Sequence, residues 1–295
     1  MKILTYGSLN LDYVYRVAHI CSPGETISSK SLQVNCGGKG LNQSIALTRA
    51  GAEVYHAGAI GRDGGILRQA LEESGVKTDY LYTLEDIPSG QAIIQVEDGG
   101  QNCIILFGGA NQAVPEMEAV LSNFEAGDYL VLQNEVNGNG DIMRKAHEKG
   151  MKIVLNPSPM DEKILALPLE YVDWFILNEV EVDAICGGDA RKLMAAYPNA
   201  SVMLTLGHRG AVCYHGGEEY PFGIYKANVV DTTAAGDTFT GYFIANLASG
   251  KGIPEAVDAA TKASSIAVSR PGAYPSIPYP GELETYYTEY IPYHC

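Results

Sequence analysis

Short, unbroken apolar runs along the chain alternate with stretches whose apolar residues recur every three or four positions. Residues 3–7 read as a first strand, 41–50 as a helix and 53–60 as a second strand. Residues 66–74 have helical spacing and stop at Gly75, because a glycine after the last turn accepts the left-handed conformation that ends a helix. The alternation continues with a strand at 129–133, a helix at 141–149 stopped by Gly150, and a strand at 152–156. A strand at 174–177, a helix at 179–186 and a strand at 202–206 follow. Buried strands alternating with helices predict a parallel sheet covered by helices, an α/β fold.

Two regions break this pattern. Residues 12–36 are polar, contain Pro23-Gly24 and alternate only weakly. Residues 91–96 and 102–107 are strand-like runs around Asp98-Gly99-Gly100, a hairpin signal. Neither fits a strand–helix–strand unit, and both predict a small sheet standing off the main one. Runs at 211–214 and 219–222, around Gly216-Gly217, predict a second hairpin. Helices are expected over 236–247 and 254–268, and the Pro- and Tyr-rich tail after Gly272 is expected to be irregular. With no internal repeat and no flexible linker, residues 1–295 read as one composite domain.

Composition narrows the function. Hydrophobic residues at 46% and charged residues at 19% rule out disorder as a global description. Lys and Arg number 20 against 35 Asp and Glu, a net charge of −15. That argues against nucleic acid or an anionic membrane as partner, while a phosphorylated ligand needs only local donors. No apolar run reaches the ~20 residues of a membrane span. The apolar run at the N-terminus ends at Gly7 and lacks the longer apolar region of a signal peptide. Cysteines 21, 36, 103, 186, 213 and 295 form no C-x-x-C pair. They are expected to be reduced, mostly buried thiols in a cytoplasmic protein.

Four segments carry candidate chemistry. In DTTAAGDTF, 231–239, small Ala234, Ala235 and Gly236 precede a helical run. A helix start exposes free N–H groups and the positive end of its dipole, so small residues there make a candidate anion hole. Asp237 beside it suggests a base for a substrate hydroxyl; the same residues also describe an ordinary helix start with an acidic residue near the cap. NCGGKGLN, 35–42, is a glycine-rich helix opening with one lysine, but neither a Walker A loop nor a dinucleotide fingerprint. Alone it could be a plain turn. Asn10 and Asp12, at i and i+2 of an extended segment, face one side and could bind neighbouring hydroxyls, or could cap a turn. In NEVE, 178–181, Asn178 and Glu181 have the spacing of a capping box. They also put a carboxylate at the edge of the sheet, where it could hold Mg²⁺ through water. The six histidines form no i, i+4 pair, and neither Ser8 nor Ser158 lies in a nucleophile elbow.

Taken together and in this order, these segments resemble the ribokinase family of sugar kinases, the PfkB group, over nearly the whole chain. GSLNLD at 7–12 resembles the family's sugar-binding start. PGET at 23–26 and GGKGLNQ at 37–43 resemble its first signature, and GGAN at 108–111 closes its lid hairpin. QNE at 133–135, NPSP at 156–159, NEVE and TLGHRGA at 205–211 follow at similar spacings. DTTAAGDTF is similar to the second signature and is highly specific, and SRPGAYPS at 269–276 resembles the monovalent-cation segment.

The resemblance implies a three-layer α/β/α fold with a central, mostly parallel sheet. It also implies a small β lid from about 12–36 and 90–108, through which two copies form a homodimer. The implied reaction is ATP-dependent phosphorylation of the primary hydroxyl of D-ribose. Asp237 would be the base, and the backbone of Ala234, Ala235 and Gly236 would stabilise the γ-phosphoryl charge. Asn10, Asp12, Gly38, Lys39, Asn42 and Glu135 would hold the sugar, and Asn178, Thr205, Gly207 and Gly236 the ATP. Glu181 would serve Mg²⁺ through water. Asp231, Thr233, the carbonyls of Ala267, Arg270 and Gly272, and the Ser276 side chain would bind K⁺.

Other readings on the same fold are a kinase for fructose, deoxyribose or a nucleoside such as pseudouridine, and a non-catalytic sugar sensor. A sensor is expected to lose Asp237 or the anion-hole glycine, and both are present. Three stretches depart from the family pattern: GRDGGIL at 61–67, one residue short of it; the polar Asn134 and Asn137 around Glu135; and the Tyr-rich tail at 286–293.

Overall fold

The computed structural model describes residues 1–116 and 118–293; His294 and Cys295, counted in the sequence reading, lie outside the described residues. In chain order the strands are β1 (Lys2–Tyr6), β2 (Asn10–Val17), β3 (Ser31–Gly37), β4 (Glu53–Gly61), β5 (Lys77–Leu84), β6 (Gly90–Glu97), β7 (Asn102–Phe107) and β8 (Tyr129–Gln133). Then come β9 (Lys152–Asn156), β10 (Trp174–Asn178), β11 (Ser201–Thr205), β12 (Ala211–His215), β13 (Glu218–Phe222), β14 (Ile224–Tyr225) and β15 (Tyr290–Ile291). The helices are α1 (Lys39–Arg49), α2 (Gly65–Glu73), α3 (Glu118–Leu121), α4 (Asn139–Glu148), α5 (Glu179–Cys186), α6 (Ala190–Ala196), α7 (Ala235–Ala248), α8 (Ile253–Val268) and α9 (Pro280–Thr285).

Nine strands form one sheet in the order β13-β12-β11-β10-β9-β8-β1-β4-β5. Pairing is parallel from β11 to β5, and β12 and β13 add an antiparallel margin. Because side chains alternate across a strand, each central strand feeds two cores. Ile3, Val131, Val154, Ile176 and Met203 point to a cluster shared with α1, α2, α7 and α8. Leu4, Leu130, Leu155, Phe175 and Val202 point to a cluster shared with α3 to α6. Both faces are therefore buried, as unbroken apolar strands require.

Strand order places the site. From β1 the chain runs outward through β4 and β5 on one side, then returns to β8 and runs outward through β9, β10 and β11 on the other. The gap between β1 and β8 is thus the switch point of an open parallel sheet, where the carboxyl ends of the strands leave a crevice. On the first of the two cores, α7 lies directly on α1. A Cβ at Gly241 would stand 2.3 Å from Ala46 Cβ and 2.8 Å from Leu47 N, so only glycine permits this approach.

A second sheet stands apart in the order β3-β2-β6-β7, with β2 and β6 parallel and the outer pairs antiparallel. It is built from the two segments that broke the strand–helix pattern. Its far edge, β7, exposes all six of its residues, including Ile104, Ile105, Leu106 and Phe107. Among the described residues no helix is long and apolar enough to cross a membrane.

Several expectations need correction. The tail is ordered: α9 follows Gly272, and β15 pairs antiparallel with β14. Strand β5 and helix α6 were not expected, because KTDYLYTL is an edge strand carrying charge and ARKLMAA is only two turns long. The stretch 61–67 resolves into a 3₁₀ turn, Arg62–Gly64, running into α2. The thiols are less buried than expected: Cys36 and Cys213 are buried, Cys21 and Cys186 half-buried, and Cys103 exposed on β7.

Candidate active site

Helix α7 begins after Ala234, which has φ 59° and is, among the described residues, the one non-glycine with positive φ. Thr238 N–H donates back to the Ala234 carbonyl at 2.8 Å. The N–H groups of Gly236 and Asp237, just before it in the same first turn, have no acceptor within the helix and form its electropositive end. Gly236 is exposed, and a Cβ there would meet nothing within 4 Å, so the approach to these groups is open.

Asp237 is 8% exposed. Its two carboxylate oxygens accept from two consecutive residues of α1: Asn42 Nδ2 at 3.0 Å and Gln43 Nε2 at 2.9 Å. Gln43 also donates to Asn156 Oδ1 at 3.1 Å, and its own Oε1 accepts from Gln133 Nε2 at 2.7 Å. The grip on Asp237 is therefore anchored to β8 and β9. Asn42 Oδ1 is buried without a partner, a spare acceptor beside the carboxylate that a ligand hydroxyl would satisfy.

A second carboxylate, Glu135, lies just past β8. Its Oε2 accepts from the Ser8 hydroxyl and, at 3.2 Å, from Lys39 N–H. Gly40 lets α1 start against this corner, since a Cβ there would fall 2.4 Å from Ser8 N. Burial raises the Glu135 carboxyl above its ordinary range, and Asp237 adds to the effect while Ser8 and Lys39 oppose it. The third carboxylate, Asp12 on β2, is pushed up to about 7, first by burial and then by Glu135. Asn10, two residues earlier on the same face, is held by Asn111, whose Nδ2 donates to Asn10 Oδ1 at 2.8 Å and whose Oδ1 accepts from Leu9 N–H. Asn10, Asp12, Lys39, Asn42, Glu135 and Asp237 thus gather at one corner of the fold. Such a set of short polar groups and carboxylates suits a small polyhydroxylated ligand.

Beyond Gly236 a cleft of about 590 Å³ opens, lined by Thr205, Gly207, Ala235 and Gly236 and walled by Val229, Phe239 and Val268. Thr205 pairs in register with Asn178 across β10 and β11. Asn178 and Glu181 form the capping box: Asn178 Oδ1 accepts from Glu181 N–H at 3.0 Å, and the Glu181 carboxylate accepts from Asn178 N–H at 2.9 Å and Nδ2 at 3.0 Å. Among the described residues no three His, Cys, Asp or Glu side chains could hold a metal. Glu181 could therefore touch Mg²⁺ only as a single carboxylate.

Asp231 Oδ1 accepts from Thr233 N–H at 2.9 Å and Oγ1 at 2.6 Å, and its Oδ2 accepts from Gly272 N–H at 2.9 Å. Burial alone would raise this carboxyl, but those donors outweigh it and hold Asp231 below its ordinary range. Asp231 N–H bonds the Val268 carbonyl, so the segments before α7 and after α8 are stitched together. Two members of the expected K⁺ set are turned to other partners: Ser276 Oγ donates to the Ala273 carbonyl, and the Ala267 carbonyl accepts from Arg270 N–H.

Sequence reasoning assigned no role to Ser8, Gln43, Asn111, Gln133 or Asn156, although each lies in a motif it singled out. Their signal was a buried amide or hydroxyl next to a candidate charge, which becomes visible only when the strand ends meet. Asn134 and Asn137 act locally: Asn134 Nδ2 donates to the Pro159 carbonyl, and Asn137 brackets the backbone of Val114.

The profile of the pfkB family carbohydrate kinases matches residues 1–280. A ribokinase of Haemophilus influenzae is 34% identical over 296 residues, covering 94% of this chain and 95% of that protein. Among solved structures, ribokinase from Cryptococcus neoformans in complex with ADP is 35% identical with TM-score 0.83, covering 96% of this chain and 99% of that one. Arabidopsis thaliana ribokinase complexed with ribose and ATP is 29% identical with TM-score 0.87, covering 96% and 97%.

Asp12, with its pKa near 7, yields a pH test. Hydroxyl donors stabilise the ionised form more than the protonated one, so a polyhydroxylated ligand bound there should lower that pKa and release a proton near pH 7. Affinity should rise with pH, to roughly tenfold tighter at pH 8 than at pH 6, and Asp12→Asn should flatten the dependence. Calorimetry in buffers of different ionisation enthalpy measures both; a pH-independent affinity without proton release removes Asp12 from the sugar site.

Proposed function

The chain belongs to the pfkB family of carbohydrate kinases, and on that premise we propose that it transfers the γ-phosphoryl group of ATP to the primary hydroxyl of D-ribose, with residues 1–295 acting as one kinase unit. The observation that carries this reading is Asp237, held by Asn42 and Gln43 beside the open N-terminus of α7.

The roles follow from placement. Asn10, Asp12, Gly38, Lys39, Asn42 and Glu135 would hold the sugar so that its primary hydroxyl reaches Asp237. A carboxylate has about four lone-pair sites, so one remains for that hydroxyl. As the sugar oxygen attacks the γ-phosphorus, its proton passes to Asp237 and the bond to ADP breaks. The N–H groups of Gly236 and Asp237, with the Ala234–Ala235 turn, stabilise the charge that develops. Asn178, Thr205 and Gly207 would line the nucleotide. Mg²⁺ on the nucleotide phosphates would supply charge neutralisation, with the Glu181 carboxylate, oriented by Asn178, one water away.

Asp237→Asn should lower kcat by roughly 10²–10⁴-fold, the worth of a positioned general base, with ADP affinity nearly unchanged. A coupled assay over pentoses, hexoses and nucleosides measures this alongside specificity. A loss under tenfold dismisses Asp237 as the base, and a higher kcat/KM for fructose or a nucleoside overturns the ribose assignment.

The oxygen-rich turn around Asp231 fits a monovalent cation, since carboxylate, hydroxyl and carbonyl oxygens suit a hard ion. Asp231, Thr233, the carbonyls of Ala267, Arg270 and Gly272, and Ser276 would hold K⁺, with Ser276 and the Ala267 carbonyl adding K⁺ to their present partners. K⁺ would supply a fixed positive charge next to the anion hole. The rate should rise in K⁺ over choline, and the thermal midpoint with it; equal values of both in the two salts count against the site.

The lid supports a homodimer. Ile104, Ile105, Leu106 and Phe107, each more than half exposed, share one strand with a free edge, and such an edge invites pairing with a second copy. Light scattering should give twice the chain mass, and Ile105→Lys should halve it; a wild-type monomer dismisses the pairing.

A further inference from the structure

We propose that the C-terminal strap, residues 286–293, forms the outer wall of the nucleotide's base pocket, with Tyr290 as the positioning residue and Ile291 as the contact. The proposal rests on the nucleotide reading of the cleft beside Gly236. The strap lies beyond residue 280, where the family profile ends, so it is a feature of this chain that the family resemblance does not account for.

Three observations carry it. Ile291 lines the cleft opposite Phe239 and Val268, which belong to the two helices that form its inner side. The strap is also anchored along its length. Ile291 pairs with Ile224 and Tyr290 with Tyr225, Lys226 N–H donates to the Glu289 carbonyl at 2.9 Å, and Thr288 Oγ1 donates to the Lys226 carbonyl at 2.7 Å. The Tyr290 hydroxyl accepts from Gly223 N–H at 2.8 Å, and its ring meets Tyr225 edge-on with centroids 5.3 Å apart. A Cβ at Gly223 would fall 1.9 Å from the Ile291 carbonyl, so that glycine is what lets the strap close.

Third, three of the hydroxyls that line the cleft are directed to backbone carbonyls. Thr205 donates to the Leu177 carbonyl, Ser264 to Ala235 and Ser265 to Lys262. What those side chains leave for a flat heterocycle is apolar surface, which Ile291 shares with Val229, Phe239 and Val268. Burial between such walls is worth most to a planar ring with little polarity on its faces. The strap therefore acts on nucleotide affinity and not on the sugar.

The test compares wild type with Ile291→Ala, Tyr290→Phe and a chain ending at Thr285, reading KM for ATP, KM for ribose and the calorimetric Kd of ADP. Ile291→Ala should weaken ATP and ADP by roughly tenfold, less than the full burial of its lost carbons would give because Ile291 is half-buried. Tyr290→Phe should do so by a smaller factor and truncation by a larger one, while KM for ribose stays within about twofold in the two point variants. Tyr290→Phe keeps the ring and serves as the folded control should truncation unfold the chain. If ADP affinity and KM for ATP are unchanged in a folded Ile291→Ala, the strap proposal falls, even if the thermal midpoint drops. If wild type neither binds ADP nor phosphorylates a sugar, the proposed function fails and the strap proposal with it.

Discussion

A carboxylate is enclosed where two helices meet, and two neutral amides hold it there. Stripping water from Asp237 without replacing its hydrogen bonds would cost several kcal/mol. Bonds to a charged acceptor return about 1.5–3 kcal/mol each, and Asn42 and Gln43 supply two. Those donors work only if α1 and α7 keep one spacing and one rotation. Gln43 then passes the constraint on, through Gln133 to β8 and Asn156 to β9. The proposed base is thereby tied to the middle of the sheet rather than to a loop.

The sheet explains why residues so far apart in sequence converge. Ser8 follows β1, Glu135 follows β8, Asn156 ends β9, Asn178 ends β10 and Thr205 ends β11. In a parallel sheet all of these ends lie along one edge, and the reversal of strand order beside β1 opens that edge into a crevice. Strands β2 and β3 of the small sheet are inserted between β1 and α1, and β2 carries Asn10 and Asp12. Two carboxylates that repel each other at Asp12 and Glu135 are tolerable there because one can keep its proton until hydroxyl donors arrive.

Much of this was legible in the chain, for local reasons. The middles of strands such as YLVLQ and KIVLN are unbroken apolar runs because both faces are buried, and they fell where the pattern put them. Small residues before Asp237 announced a helix start with room in front of it. Asn178 and Glu181 satisfied the capping reading fully, and that arrangement leaves the carboxylate oriented at the sheet edge. What was illegible depends on distant partners. Nothing local in QNE marks Gln133 as a brace for Gln43, and a Pro- and Tyr-rich tail gives no period by which to place it. Strand β15 exists because β14 offers an open edge two hundred-odd positions from the start of the chain, and β5 because β4 does.

The contact of Gly241 with Ala46 has a consequence for how this sequence can drift. Only the Ala46 methyl lies between the helix backbones at that crossing, so no soft layer exists to absorb a change in volume. A methyl group gained on one helix displaces the other as a rigid rod, and the displacement is delivered undiminished one turn away, where Asn42 and Gln43 meet Asp237. Elsewhere in the core, repacking can hide a substitution from the site. At this crossing the two positions are free to vary only as a pair, which makes them a sequence marker for whether a diverged chain of this fold still carries a working base.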